Sequence, residues 1–219
     1  MSEDGQQEIL SRHNISWLYH ITHIENLFSI FDSGLHPHEL AHKYHCPTDI
    51  SNLEVNQRRS KRDSIYNLPI HEYVPLYFAP KNPMSYKNKD IRELAILHID
   101  KEVALKPNVV FTDGNAASNF TKFYGNIKDL DGLDWKCLKA KYWKDFPDGS
   151  RKRCSELLVP KTISKDYIKQ ISVKTERIRR ELIEYQLPEP STYECEDLPS
   201  PSEDLFYGVP VYANPDYFF

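Results

Sequence analysis

The sequence predicts a mixed α+β domain, and three observations carry that prediction. Apolar runs of strand length recur along the chain, stretches of helical period separate some of them, and no glycine-rich strand-to-helix turn marks a parallel βαβ unit. The first element is a strand over Trp17–Ile21 (WLYHI). Thr22 follows, with Glu25 in the position of a capping box, where the Thr oxygen takes one orphan N–H and the Glu reaches back. Ile24, Leu27, Phe28 and Phe31 continue at helical spacing, and Gly34 is expected to end that helix in the left-handed region.

Residues 36–70 show no sustained period and read as a long excursion, which in compact domains is usually functional or disordered. Tyr73–Ala79 (YVPLYFA) is a strand bounded by Pro80, and Pro75 points to an edge or a bulge. Further strands are expected over Leu94–Ile99, Val109–Phe111, Leu157–Val159 (starting near Cys154), Ile171–Val173 and Val209–Ala213. Helices are expected over Ala116–Tyr124, over Asp134–Trp143 with Asp134 as cap, and from Thr175 to about Gln186. Residues 188–204, rich in Pro, Ser and acid, read as a loop or linker, and the terminal Tyr217-Phe218-Phe219 is apolar enough to dock on the body. There are no internal repeats. One domain over 1–219 is expected, with 188–204 as an acidic insertion near its C-terminal end.

Composition supports an ordinary core: 40% of residues are hydrophobic, and 14 Tyr with 10 Phe argue against disorder. No stretch approaches the ~18 apolar residues of a membrane span. The opening MSEDGQQEIL has no basic run followed by an apolar one, so no leader peptide is expected. Cys46, Cys137, Cys154 and Cys195 lie far apart without a CxxC pair, as reduced thiols of a cytoplasmic protein would. The net charge of −4 hides an asymmetry: residues 181–219 hold nine acids and no Lys, Arg or His. All 28 Lys and Arg therefore lie in 1–180 with the other 23 of the 32 acids, a balance of +5. A basic body with an acidic tail suits a polyanionic partner, and equally an ordinary enzyme with a solvated tail.

Four groups of residues have chemical potential. Glu156 follows Arg151-Lys152-Arg153 and leads into an apolar strand, sharing a face with Cys154 and Leu158. A carboxylate there could hold a ribose hydroxyl or stabilise a developing cation; an edge-strand Glu paired with Arg151 or Arg153 is the structural alternative. His20 ends the first strand just before a helix N-terminus that suits a phosphate, or is a satisfied core histidine. Arg58 and Arg59 suit bidentate phosphate recognition from a loop, or form a solvated charge run. His36, His38, His42 and His45 with Cys46 form a local cluster, but no second cluster completes a zinc set, and no metal is expected.

The blocks HITHIENL (20–27), Arg58-Arg59, YVPLYFAPKNPM (73–84), VFTD (110–113), LDW (133–135) and SELLV (155–159) occur in this order. Together they resemble the DarT family, the DNA ADP-ribosyltransferase toxins of bacterial toxin–antitoxin systems. The resemblance covers about residues 17–175, and the terminal Pro-Asp-Tyr-Phe is similar to the family's aromatic end. It implies an ADP-ribosyltransferase fold of two small packed sheets with an NAD cleft and peripheral helices. It implies NAD⁺ as co-substrate without a metal, and Glu156 and Arg59 as catalytic residues. NAD contacts are implied at His20, Ile21, Thr22, Asn26, Leu35, Arg59 and Tyr77. DNA contacts are expected at Met84, Lys122, Arg151, Lys152 and Arg153.

The resemblance further assigns about 119–156 to the region presenting DNA, and 36–59 to the element covering NAD⁺. The His cluster and Cys46 have no role in the family's pattern, and the acidic 188–204 segment departs from it. The implied reaction is mono-ADP-ribosylation of a base in single-stranded DNA, with thymine ahead of guanine as acceptor. Implied partners are single-stranded DNA, NAD⁺ and a cognate antitoxin, macrodomain-type or another ADP-ribosyl hydrolase, in the cytoplasm and away from membranes. The alternatives are a transferase acting on RNA or protein, and a non-catalytic nucleic-acid-binding module.

Overall fold

The computed structural model describes residues 3–51, 53–185 and 204–219. Nine strands form its frame: β1 (Trp17–His23), β2 (Tyr73–Tyr77), β3 (Leu94–Asp100), β4 (Val110–Thr112), β5 (Phe123–Tyr124), β6 (Glu156–Pro160), β7 (Ile168–Val173), β8 (Leu205–Phe206) and β9 (Val209–Ala213). Their order is β5-β4-β6-β2-β1-β3-β7-β9-β8. β1 and β3 pair from Trp17–Asp100 to His23–Leu94, and β2 and β6 from Tyr73–Pro160 to Tyr77–Glu156. β1 and β2 meet only at Tyr19–Tyr77. The sheet is therefore two half-sheets joined at one residue pair, and they part on either side of it.

Pro75 explains the parting. It lies in the middle of β2, and its missing N–H cannot extend a ladder to β1. Its carbonyl instead accepts a hydrogen bond from His20 Nδ1 at 3.0 Å. The proline signal was correct, but its place is this internal seam rather than an outer edge.

The main core lies on one face, where Leu18, Leu97 and Ile99 of one half-sheet meet Val74, Leu76 and Leu157 of the other. Helices α1 (Glu3–Arg12), α2 (Leu27–Ser33) and α8 (Glu176–Tyr185) add to it through Leu10, Phe31 and Leu182. α3 (His38–Tyr44), α4 (Leu53–Arg58), α5 (Pro83–Lys87), α6 (Trp135–Lys139) and α7 (Gly149–Lys152) are short. Among the described residues no helix is long and apolar enough to cross a membrane.

Several local expectations are corrected. The cap after β1 is His23, whose Nδ1 accepts from the Glu25 N–H, because the strand runs through Thr22. Gly34 has φ 94° and ψ 169°, an extended glycine-only conformation rather than the left-handed helical one. A Cβ there would come within 2.6 Å of Thr162 and 2.9 Å of the Ile163 carbonyl. The helix expected over 116–124 is a chain of turns ending in β5, held by Asn115 and Ser118 bonding back to nearby N–H groups. The helix at 134 stops at Lys139, although Asp134 caps it as expected, accepting from the Cys137 N–H at 3.1 Å. The excursion over 36–70 contains α3 and α4. The acidic segment 188–204 lies outside the described residues except for Asp204, which ion-pairs with Arg179. Phe218 is buried, so the aromatic end docks as expected.

Candidate active site

At the seam a cavity of about 740 Å³ opens between the half-sheets. β1 brings His20, Ile21 and Thr22 to it, β2 brings Tyr77, and α3 and α4 roof it with the segment carrying Arg59. Asn26, Leu35, Met84 and Arg151 also line it. The size falls within the roughly 300–1,000 Å³ of small-molecule sites.

Glu156 sits at the head of β6, opposite Tyr77 in the ladder, so both side chains occupy one face. It is fully buried, in a strand flanked by β4 and β2. The edge-strand alternative is thereby excluded. Its Oε2 accepts from Arg59 Nη2 at 2.8 Å, and its Oε1 accepts from the Ala116 N–H at 2.9 Å. Its backbone N–H donates to Thr112 Oγ1 at 2.9 Å, which pins the start of the strand. A carboxylate so held stays aimed without reorganisation, as an electrostatic stabiliser must.

Arg59 is the partner that covers this carboxylate, with its side chain 12% exposed. Burial opposes its charge, but Glu156 outweighs that and holds its pKa above the ordinary arginine value. Tyr77 loses the ability to ionise through burial, reinforced by Glu156 and Cys154. The His20 pKa is lowered by burial, which outweighs the opposing pull of the Pro75 carbonyl, and Arg59 lowers it a little further. Because a carbonyl can only accept, His20 Nδ1 carries the proton, and Nε2 is left as an acceptor. A ribose hydroxyl is the natural donor to such a nitrogen.

Thr22 and Asn26 support the roof. Asn26 Nδ2 donates to Thr22 Oγ1 at 3.1 Å and to the Thr48 carbonyl at 3.0 Å, while its Oδ1 accepts from the Thr48 N–H at 2.9 Å. Leu35 is buried and locked to Ile163 by two backbone hydrogen bonds of 2.9 Å.

The cations expected at DNA divide differently. Arg153 is buried, donating to the carbonyls of Cys137, Leu138 and Ala140 and to that of Lys81. It ties off the end of α6, and a surface contact is excluded. Lys152 pairs with Asp134 at 2.9 Å. Arg151 pairs with Asp113 at 2.7 Å and Asp148 at 2.5 Å while still facing the cavity. Gly114 makes room for it, since a Cβ would lie 2.4 Å from its Nη1. Lys122 is exposed beyond the cavity.

Sequence reasoning missed the Ala116 N–H and the mouth residues Asn115, Ser118 and Phe120. Phe120 is 84% exposed at that mouth, and a large apolar side chain beside a polar Asn-Ser pair was the available signal. The His cluster does not converge as a whole. His36 stacks on His45, whereas His38 and His42 approach Asp49 at 3.6 and 3.8 Å. Those three each place a potential ligand atom within 4.8 Å of the others, with Asn56 Nδ2 already on His38 Nε2 at 2.8 Å.

Comparison with known proteins agrees with this geometry. The family model described as "ssDNA thymidine ADP-ribosyltransferase, DarT" matches residues 19–191. A DNA ADP-ribosyl transferase of Thermus sp. (strain 2.9) is 32% identical over 189 residues, covering 78% of this chain and 88% of that one. A DNA ADP-ribosyl transferase–DNA ADP-ribosyl glycohydrolase fusion protein of Thermosipho africanus is 31% identical over 173 residues, covering 75% of this chain and 44% of the fusion. Thermus sp. 2.9 DarT superposes with a TM-score of 0.76 in its complex with ADP-ribosylated ssDNA, at 25% identity, covering 94% of this chain and 97% of that one. Its complex with NAD⁺ gives 0.70, covering 94% and 98%. The chain belongs to the DarT family of ssDNA thymidine ADP-ribosyltransferases.

Proposed function

We propose that this cavity binds NAD⁺ and transfers its ADP-ribose to a thymine base of single-stranded DNA, with Glu156 as the central catalytic residue. The observation that carries the reading is the buried Glu156–Arg59 pair beside a cavity roofed by the Arg59 segment. In the reaction, the glycosidic bond to nicotinamide breaks with its electron pair leaving on nicotinamide, and the ribose becomes cation-like. The Glu156 carboxylate stabilises that charge, an effect that in a water-poor site is worth about 10²–10³ in rate. The acceptor nitrogen then bonds to the ribose carbon and gives up its proton.

His20 Nε2 accepts from a ribose hydroxyl, and Tyr77, un-ionised and opposite Glu156, stacks near the nicotinamide. Arg59 contacts the diphosphate or the acceptor base. Asn26 and Leu35 hold the roof and floor that Ile21 and Thr22 complete, while Met84 and Arg151 face the incoming strand. A single strand is the substrate because a base nitrogen is shielded inside a duplex.

The nine-stranded sheet, which draws strands from Trp17 to Ala213, supports one transferase domain across the chain. A cytoplasmic protein countered by an ADP-ribosyl hydrolase antitoxin fits this reaction, and the Thermosipho fusion supports that pairing. The test is incubation with NAD⁺ and either thymine-containing or thymine-free single strands, followed by mass spectrometry of the digested nucleosides. ADP-ribosyl-thymidine from the first strand alone is the expected product. Equal modification of thymine-free strands would move the acceptor to another base.

A further inference from the structure

Beside the cavity lies a second hollow of about 490 Å³, lined by Lys61, Arg62, Asn119, Lys122, Phe123 and Tyr124. Asn119 lines both, so the loop of residues 115–122 is the wall between them. The charge around this hollow is unusual. Lys61 donates to the Ser118 carbonyl at 2.7 Å, and Arg62 to the Asn67 carbonyl at 2.5 Å. Among the described residues neither forms an ion pair, and the Lys122 ammonium makes no hydrogen bond or ion pair at all. Asp63, the nearest acid in sequence, is buried and its carboxylate serves three backbone N–H groups and the Tyr73 hydroxyl. Asp113 accepts from Arg151 and from the Lys122 backbone.

Among the described residues none of these three cations forms an ion pair, although Asp113, Asp129 and Glu156 lie near enough to be felt by Tyr124 and Lys61, and two half-buried aromatic rings stand beside them. The Lys61 ammonium stands 5.6 Å from the Phe123 ring centre. The contrast with Arg151, Lys152 and Arg153 is direct, because each of those is already committed within the protein. Unneutralised cations track a phosphate backbone, and aromatic faces take bases without regard to sequence.

We propose that this hollow is a second nucleotide subsite, which seats the nucleotide adjacent to the modified one on a single side of it. Arg62 and Lys122 hold its phosphate, Phe123 and Tyr124 take its base, and Asn119 contacts the base edge. Lys61 braces the dividing loop and adds charge. The inference rests on the reading that single-stranded DNA is the substrate.

Its test is the Michaelis constant for a single-stranded oligonucleotide, measured for wild type and for Arg62→Ala/Lys122→Ala across a salt series. Each phosphate contact to a single strand contributes about 0.7 to the log–log salt slope. Losing two flattens it by about 1.4, which at 0.15 M salt is roughly tenfold weaker binding if affinity at 1 M is unchanged. Lys169→Ala/Arg177→Ala removes the same charge elsewhere and should leave the constant for DNA unchanged. Because Arg62 bonds a carbonyl of its own loop, Lys122→Glu alone is the second variant, expected to weaken DNA binding several-fold. Trimming the oligonucleotide one nucleotide at a time should hurt wild type on one side of the acceptor, and should hurt the double variant there much less. Hollow variants that match the control pair, or trimming effects identical in wild type and variant, would overturn the subsite. Failure of wild type to label any single strand would instead refute the functional reading beneath it.

Discussion

Replacing Glu156 with Gln removes one charge and almost no volume, so its consequences separate stability from catalysis. The Gln oxygen can still accept from the Ala116 N–H, but Arg59 loses its only ion-pair partner among the described residues. Breaking a buried pair typically costs about 3–5 kcal/mol, because the remaining charge is left uncompensated. Arg59 is 12% exposed and lines the cavity, so its guanidinium can turn toward water there. The lower end, about 3 kcal/mol, is therefore expected, or about 6–12 °C in Tm for a chain of this size. Arg59→Met/Glu156→Gln should recover most of that loss, with a coupling of at least about 2 kcal/mol. Transfer should nevertheless fall by about 10²–10³ in both variants. Saturating NAD⁺ should raise Tm more in Glu156→Gln than in wild type, since the diphosphate offers the orphaned guanidinium a partner. Differential scanning calorimetry and a labelled-NAD⁺ transfer assay measure all of this. Near-wild-type transfer by Glu156→Gln, or a double variant no more stable than the single one, would refute the reasoning.

Three further outcomes follow from named contacts. His98 is buried, with Nε2 on Ser172 Oγ at 2.9 Å, and burial lowers its pKa from 6.5 to about 4. Between those values the unfolded chain binds the proton and the native one does not, so stability falls as pH falls across that window, by about 3 kcal/mol at ~1.4 kcal/mol per unit. Chemical denaturation between pH 7 and 4 should show this slope, and His98→Gln should flatten it; an unchanged slope would assign it to other groups. His20→Ala should raise KM for NAD⁺ by about tenfold, the loss of one hydrogen bond of about 1.4 kcal/mol, and an unchanged KM would remove His20 from the ribose. Gly114→Ala should displace Arg151, whose Nη1 lies 2.4 Å from the added Cβ, and weaken transfer by raising KM for DNA rather than for NAD⁺. Kinetics that are wild-type for both substrates would show Arg151 to be dispensable.

Much of the site was legible because it sits on regular elements. The strands at Trp17–Ile21, at the proline-bearing Tyr73 segment and after Glu156 were legible as short apolar runs with clear boundary residues. The seam between them was foreshadowed by Pro75, though its meaning needed the neighbouring strand. Long-range pairing was not legible from residue patterns. Glu156 and Arg59 are 97 residues apart, and only the family resemblance named both. Local rules failed where side chains had competing partners. Thr22 did not cap because β1 extends past it to His23, and Asn26 holds its hydroxyl. The Arg151-Lys152-Arg153 run looked like one DNA-facing patch, yet Lys152 is paired with Asp134 and Arg153 is buried on carbonyls distant in sequence, so only Arg151 still faces the cavity. Residues 116–124 show no helix because Asn115 and Thr121 bond locally to backbone groups in turn conformations.

The most direct test of the central claim is transfer from NAD⁺ labelled in its adenylate half to one thymine-containing oligonucleotide, alone and annealed to its complement. Extruding a paired base costs a few kcal/mol, and ~1.4 kcal/mol is tenfold in rate, so the duplex should react at least about tenfold more slowly. Label is expected on the free strand, little on the duplex, and none on added protein. Equal labelling of strand and duplex, or label on protein alone, would contradict the claim.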